Sequence, residues 1–196
     1  MTSDINRTEL LLSLLYADTD QESALDPQNS ESVEGITRLE KLLFLLKKKE
    51  GFLESVPQND DFQFVPFRMG PWTEAVYDEV DFLESLGLLS KSSLKKRSIE
   101  DQAHNEELFG EGILDKYQLK VSSSSDTESE IFSLTEKGRE IAKVIWEKLS
   151  EDEKLRIFRV KKRYNKMNLN QFLRYIYKTF PNYSVDSEIK EYLGIQ

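Results

Sequence analysis

The first clear pattern of apolar residues lies in the segment ITRLEKLLFLLKKKEG, which begins at position 36. Residues at intervals of three and four, the period of one helix face, are Ile36, Leu39, Leu43 and Leu46. Thr37 and Glu40 have the spacing of a capping box, in which a hydroxyl and a carboxylate each accept a backbone N–H. Three lysines and Gly51 close the segment, as the helix dipole and C-capping favour. The pattern predicts a core helix.

The next segment, FQFVPFRMGPWTEAVYDEVDFLESLGLL, predicts a short strand, a corner and a helix. Its aromatic residues alternate up to Pro66, which restricts the strand to a sheet edge. Gly70 and Pro71 predict a structural turn, because glycine adopts unusual backbone angles and proline presets φ for a first helical turn. Gly87 is placed to end the helix. The buried face is predicted to consist of Trp72, Val76, Val80 and Leu83, with Leu86 close by.

Later segments predict a β-hairpin followed by helices. KYQLKV and EIFSLT have the composition of two strands around the stretch SSSSDTES, and a polar insert at about 90–115 precedes them. Thr135 has the position of an N-cap for the helix of TEKGREIAKVIWEKL, and Ser150 has that position for the next helix. The other predicted helices span residues 5–17, 151–167 and 169–180.

These elements predict a mainly helical α+β fold in three parts. The first part is an N-terminal helix with a polar linker, over residues 1–35. The second is a central domain over residues 36–149, which contains the insert, and the third is a helical C-terminal extension over residues 150–196 that packs on it. The length of the chain suits one substantial domain with an appendage and allows a sizeable core.

The order of the elements resembles a winged-helix domain with a β-hairpin wing. More narrowly, ITRLEKLLFLL, FVPFRMGPWTEAVYDEVDFLESLGLL and FSLTEKGREIA resemble a microbial winged-helix group that includes phage-associated, SocA-like antitoxin proteins. The resemblance covers about two thirds of the chain and rests on apolar and turn residues, which specify fold more than activity. Met69, where relatives usually carry an aromatic residue, and the insert depart from the pattern. The resemblance implies that this protein acts as an antitoxin-like or regulatory partner of another protein.

Composition excludes several kinds of chemistry. Of the 196 residues, 38% are hydrophobic and 32% charged, with no cysteine and one histidine. The lack of cysteine excludes disulfides, thiolate metal sites and cysteine nucleophiles, and no cofactor is expected. His104 lies in a polar stretch typical of a solvated loop. These features predict a cytoplasmic, non-enzymatic protein with no membrane partner, while an enzyme that uses only carboxylates stays an alternative.

Charge is divided along the chain. The net charge is −9, yet the segment from Lys154 to Lys178 carries nine basic residues and no acidic one. The helix predicted over residues 72–86 carries five acids and no lysine or arginine. Because phosphate neutralisation drives DNA binding, this helix is predicted to be scaffold or a protein interface rather than a DNA-reading element. The predicted interface residues are Glu74, Tyr77, Asp78 and Asp81.

The basic residues define an alternative. Some share one face of a predicted C-terminal helix and others lie near the predicted wing. The candidate nucleic-acid contacts are Lys95, Lys96, Arg97, Arg159, Lys162, Arg163, Lys166 and Arg174. Two functions therefore stay open: a module that binds a protein partner or a second copy of itself, and a DNA-binding transcriptional regulator that uses the basic C-terminal helix. The other explanation of the basic row is a solvated face, or one that pairs with the protein's own surplus acids.

Overall fold

The chain folds into helices and small antiparallel sheets in the computed structural model, which confirms the α+β class. The structure describes residues 5–20, 24–95, 128–185, 187, 189, 193 and 194. Four of the sequence-based expectations concern residues outside these ranges. They are the strand KYQLKV, the insert beyond residue 95, the loop around His104, and the contacts from Lys96 and Arg97.

Six α-helices and five strands lie in the described ranges. The helices are α1 (Arg7–Tyr16), α2 (Ile36–Lys48), α3 (Glu74–Ser85), α4 (Glu136–Lys148), α5 (Glu151–Tyr164) and α6 (Leu169–Thr179). The strands are β1 (Val33–Glu34), β2 (Val65–Phe67), β3 (Gly70–Trp72), β4 (Leu89–Lys95) and β5 (Glu128–Leu134). Two predicted caps are confirmed: Thr135 caps α4, and Ser150 forms a capping box with Glu153 on α5.

β5 is the central strand of a three-stranded antiparallel sheet in the order β1, β5, β4. It pairs with β4 over its whole length, from Leu134 opposite Leu89 to Glu128 opposite Lys95, and with β1 around Phe132. Among the described residues the hairpin is formed by β4 and β5, whereas KYQLKV, the predicted partner of β5, lies outside those residues.

The predicted turn at Gly70 is confirmed. Its φ is +87°, and a Cβ there would lie 2.5 Å from a ring carbon of Tyr177 on α6, so the corner needs glycine for its backbone angle and for this close approach. The predicted role of Pro71 was wrong. Pro71 lies in β3 opposite Pro66, and α3 begins only at Glu74, because pairing with β2 keeps this stretch of backbone extended.

Glu40 has a different role from the predicted capping box. α2 begins directly after Gly35, whose φ is +85°, so Thr37 lies inside the helix and is not its cap. The buried Glu40 carboxylate bonds to the Lys41 ammonium at 2.5 Å and accepts the backbone N–H of Thr73 at 3.1 Å. Burial raises the pKa of Glu40, and the bonds to Lys41 and Thr73 oppose that shift. This buried pair holds the start of α3 against α2.

A buried lysine of α5 supports the end of α1. α1 is buried throughout Leu10–Tyr16, and apolar side chains from all six helices belong to the same core cluster. The last carbonyls of a helix lack partners within it. The fully buried Lys161 supplies donors: its Nζ donates to the carbonyls of Leu15 at 3.2 Å, Ala17 at 2.6 Å and Glu31 at 2.5 Å.

The free energy of unfolding should rise with pH above neutrality because of Lys161. Burial lowers the pKa of Lys161 to about 7, despite the opposing charges of Glu31 and Asp18. The unfolded lysine keeps its proton up to a pKa of about 10.4, so between these values unfolding takes up a proton and stability increases by up to about 1.4 kcal/mol per pH unit. Below pH 7 this contribution is constant.

Urea unfolding at several values between about pH 6 and about pH 9 tests this dependence. The wild type should show the increase, and Lys161→Met, which has no titrating amine, should lose that part of the pH profile. Superimposable profiles for the two proteins would contradict the prediction.

Candidate functional site

The outward side of α3 is acidic along its length. Val76, Val80 and Leu83 pack into the core and leave the opposite side of the helix to solvent, in agreement with the sequence pattern. Four exposed carboxylates lie on this side of the helix, which we call the acidic α3 face: Glu74, Asp78, Asp81 and Glu84. The structure thus brings three of the predicted interface acids onto one surface and adds Glu84 to them.

Glu79, the fifth acid of α3, has a structural role. It is buried, and its carboxylate accepts hydrogen bonds from Arg7 Nε at 2.6 Å and from Thr8 Oγ1 at 2.7 Å. Both donors lie at the start of α1. A buried carboxylate costs free energy unless it is paired and hydrogen-bonded, and these two contacts meet that need. Glu79 therefore connects α3 to α1 and takes no part in the surface.

Lys91 of β4 neutralises one end of the acidic α3 face. Its ammonium lies 2.6 Å from a carboxylate oxygen of Asp81 and 2.8 Å from one of Glu84. Within the described part of the chain, Glu74 and Asp78 have no such cation partner. The N-terminal half of the face therefore keeps its negative charge, while the C-terminal half is partly compensated.

Exposed apolar side chains flank the acidic α3 face. Tyr77 is 38% exposed, Phe82 51% and Leu86 44%. Burial, with the nearby charge of Glu40, raises the pKa of Tyr77 to about 12, so its phenol is neutral at physiological pH. The sequence pattern indicates Tyr77 as an interface residue. It placed Leu86 close to the buried face, whereas the Leu86 side chain is exposed. Phe82 was missed, although its position off the buried stripe was the available signal.

The predicted basic row lies at the surface of α5 and just past its end, because the helix ends at Tyr164. Its members, all exposed, are Arg159, Lys162, Arg163 and Lys166. Lys166 is engaged by the protein's own acids: its ammonium pairs with Asp20 and lies 3.6 Å from Glu31. Arg174, on α6, donates from Nε to the backbone carbonyl of Leu193 at 3.0 Å. Pairing with the protein's own acids thus accounts for Lys166, whereas the other three cations of the row have no carboxylate partner among the described residues.

Lys49, at the end of α2, lies close to the basic row although it is distant from it in sequence. Its ammonium lies 3.1 Å from the Tyr175 hydroxyl and within 5.8 Å and 5.5 Å of the ring centroids of Tyr164 and Tyr175. The Arg163 guanidinium lies 5.4 Å and 5.9 Å from the same two centroids. The sequence pattern explained Lys49 only as a favourable charge at a helix C-terminus. No local signal links it to α5, because the contact depends on how α2 packs.

The predicted wing contacts are only partly within the described ranges. Lys95 is the last residue of β4 and pairs with Glu128 in the ladder, whereas Lys96 and Arg97 lie outside the described residues. A nucleic-acid role for these three residues therefore stays a prediction. The fourth basic residue of this cluster, Lys91, is bound to the acidic α3 face.

Candidate sites for other chemistry are few. The described residues contain no group of three or more histidine, aspartate and glutamate side chains suited to a metal ion. A cleft of about 400 Å³ lies between α4 and residues 26–28, and Arg139 donates across it to the Gln28 carbonyl. Charged side chains of both signs line this cleft: Asp26, Glu136, Arg139, Glu140 and Lys143. If the protein were an enzyme that uses only carboxylates, this cleft would be its candidate active site. That alternative stays a prediction.

Comparisons of the chain with protein-family models, curated proteins and solved structures find no match. Among the helices in the described ranges, none combines the length and the apolar character needed to cross a membrane. The features of the described residues that bear on function are the two oppositely charged surfaces, on α3 and on α5.

Proposed function

We propose that this protein is a non-enzymatic winged-helix module that regulates another protein by binding it through α3. The observation that carries the proposal is the acidic α3 face, with four exposed carboxylates and no lysine or arginine on the helix. In a DNA-reading domain of this type, the presented helix enters the major groove between two rows of phosphates. Each carboxylate held about 4 Å from a phosphate adds roughly 1 kcal/mol of repulsion even at the dielectric constant of water.

The order of the elements supports the winged-helix assignment. α1, β1, α2 and α3 precede the hairpin of β4 and β5, and β1 pairs with the second strand of that hairpin. This is the arrangement of helices, sheet and wing in winged-helix domains, with the β2–β3 corner inserted before α3. The resemblance of three sequence segments to a group that includes antitoxin proteins supports a regulatory role for the same fold.

The apolar residues beside the acidic α3 face supply what a protein interface needs. Aromatic anchors that bury fully in a partner contribute most of the binding free energy in many interfaces, and Phe82 is half exposed in the free chain. Surrounding charges chiefly accelerate association and exclude wrong partners. Glu74 and Asp78, which lack cation partners among the described residues, are suited to that role. The partner surface is therefore expected to combine an apolar pocket with basic residues.

A photoreactive phenylalanine analogue placed at Phe82 should form a covalent adduct with the partner in a lysate of the source cells. The same analogue at Leu155, an apolar residue of α5 that is 42% exposed, is the matched control and should not form that adduct. With the purified partner, Phe82→Ala and Asp78→Lys in the full chain should each weaken binding by about tenfold or more.

Glu147→Lys, which makes the same charge change on the exposed side of α4, should leave the affinity within about twofold. Equal adduct formation at both labelled positions would overturn the proposal. So would covalent capture of duplex DNA by the analogue at Phe82, because it would place α3 in a groove.

A further inference from the structure

We propose that the surface where α2, α5 and α6 meet binds the phosphodiester backbone of nucleic acid without regard to base sequence. This junction surface consists of Lys49, Arg159, Lys162, Arg163 and Tyr175. It lies on different elements from the acidic α3 face, so the inference does not depend on the proposed protein partner.

The cations of the junction surface have no carboxylate partners among the described residues. Several cations elsewhere in the described residues are paired with the protein's own acids, as in Arg7 with Glu79 at 2.6 Å and Arg156 with Asp152 at 2.9 Å. Lys166, the next member of the same row, which lies just past the end of α5, is also paired. Although the chain has a net charge of −9, four cations without such pairing lie together on this one surface. It leaves these side chains available to an external anion.

Two of these cations are held at the same pair of tyrosine rings. Lys49 and Arg163 each lie between 5.4 Å and 5.9 Å from the ring centroids of Tyr164 and Tyr175. The Tyr175 hydroxyl, 3.1 Å from the Lys49 ammonium, adds a neutral hydrogen-bonding group. Like charges held near each other repel, and an anion between them converts that repulsion into attraction. Lysine, arginine and tyrosine together are common donors to phosphate oxygens.

The remaining cations extend the site along α5. Arg159 and Arg163 are four residues apart, so their α-carbons are separated by about 6 Å along the helix axis. Lys162 lies 5.1 Å from the ring centroid of Phe158, and Arg159 Nε donates to the Leu155 carbonyl at 3.3 Å, contacts that limit the motion of both side chains. A row of positive charges over more than one helical turn suits an extended polyanion with repeated phosphates better than a single phosphoryl group.

The ring of Tyr164 is not free to stack on a base, and the half-buried ring of Tyr175 lies against it at a centroid distance of 5.0 Å. Tyr164 is 1% exposed, and its ring is stacked on Phe172 at a centroid distance of 5.0 Å. Base-reading single-strand sites present aromatic faces to solvent, whereas here the rings support the cations from beneath. Recognition is therefore expected to involve phosphates only, and affinity should depend steeply on salt.

Fluorescence anisotropy of the full-length protein with a labelled duplex of about 20 base pairs, and with a single strand of similar length, tests the proposal. At low salt both should bind, and for the duplex log Kd should rise with log salt with a slope of about 3 to 4, as four phosphate contacts predict. Lys49→Gln and Arg163→Gln should each weaken binding about fivefold to tenfold and reduce the slope by about 1.

Lys166→Gln is the matched control. It removes one positive charge from the same helix end, but Lys166 is already paired with Asp20, so the affinity should change less than about twofold. Circular dichroism confirms that each variant is folded. The proposal is overturned if no binding is detected at low salt, if Lys166→Gln weakens binding as much as Arg163→Gln, or if the surface binds a phosphopeptide and not nucleic acid. Phe82→Ala should leave nucleic-acid affinity unchanged, which separates this result from the test of α3.

Discussion

Replacing Gly138 with alanine should destabilise the protein by about 3 kcal/mol or more, although alanine is the better helix former. Gly138 lies in the first turn of α4, where its N–H donates to the Thr135 hydroxyl at 3.0 Å. A Cβ on this residue would lie 1.9 Å from the carbonyl oxygen of Leu88 and 2.8 Å from its carbonyl carbon. These atoms are backbone, so no side-chain rotation relieves the overlap, and α4 must move away from the start of β4.

The sign of the change distinguishes packing from helix propensity. Propensity alone predicts that Gly138→Ala stabilises by up to about 1 kcal/mol. Glu140→Gly, at an exposed position of the same helix, measures that propensity term separately and should destabilise by about 1 kcal/mol. Urea unfolding followed by circular dichroism gives both values. A neutral or stabilising Gly138→Ala would show that the helix does not approach Leu88 so closely.

Removing the Lys161 side chain should cost about 3 to 5 kcal/mol at pH 7. Lys161→Ala leaves the carbonyls of Leu15, Ala17 and Glu31 without the donor that they share. A buried acceptor that loses its partner costs about 1 to 3 kcal/mol, and the space left by the lysine stem adds a cavity term. This loss is large compared with the total stability of about 5 to 15 kcal/mol that is typical of a domain.

Two further variants separate the contributions at this site. Lys161→Met restores the volume of the stem but not the donor, so it should recover only the packing part of the loss. Lys162→Ala, the exposed neighbour on the same helix, should change stability by less than about 0.5 kcal/mol. Chemical unfolding at constant pH measures all three. Equal effects of Lys161→Ala and Lys162→Ala would contradict the role of Lys161 as a shared donor.

The two charged surfaces predict different responses of binding to salt. Binding through α3 would depend on apolar burial of Phe82, which salt hardly weakens, with charges affecting mainly the rate of association. Binding through the junction surface would release counterions and decline steeply as salt increases. A titration of each activity against salt therefore assigns it to one surface before any substitution is made.

Local features of the chain were predictable from sequence because their causes lie within a few residues. The spacing of apolar residues predicted α2, α3 and the C-terminal helices. The hydroxyls of Thr135 and Ser150 indicated where α4 and α5 begin, and Gly70 indicated the corner before α3. The acidic character of α3 was also visible, since its exposed side follows from the buried stripe of Val76 and its neighbours.

Features that depend on distant partners required the tertiary structure. The sequence indicated a capping box at Glu40, left open whether Lys166 faces solvent, an external ligand or the protein's own acids, and did not indicate β1 or β4 as a partner of β5. Each was decided by contacts with residues far along the chain: Thr73 for Glu40, Asp20 for Lys166, and β4 with β1 for β5. Lys49 and Arg163 lie beside the same tyrosine rings only because α2 packs against α5.

The sequence by itself therefore determined the helices, the caps at Thr135 and Ser150, and the separation of charge between α3 and the C-terminal segment. Only the tertiary structure decided which charges are paired internally and which remain available to a ligand. The physical reason is that helical periodicity and capping act over one or two turns, whereas an ion pair or a close backbone contact depends on the three-dimensional position of both partners.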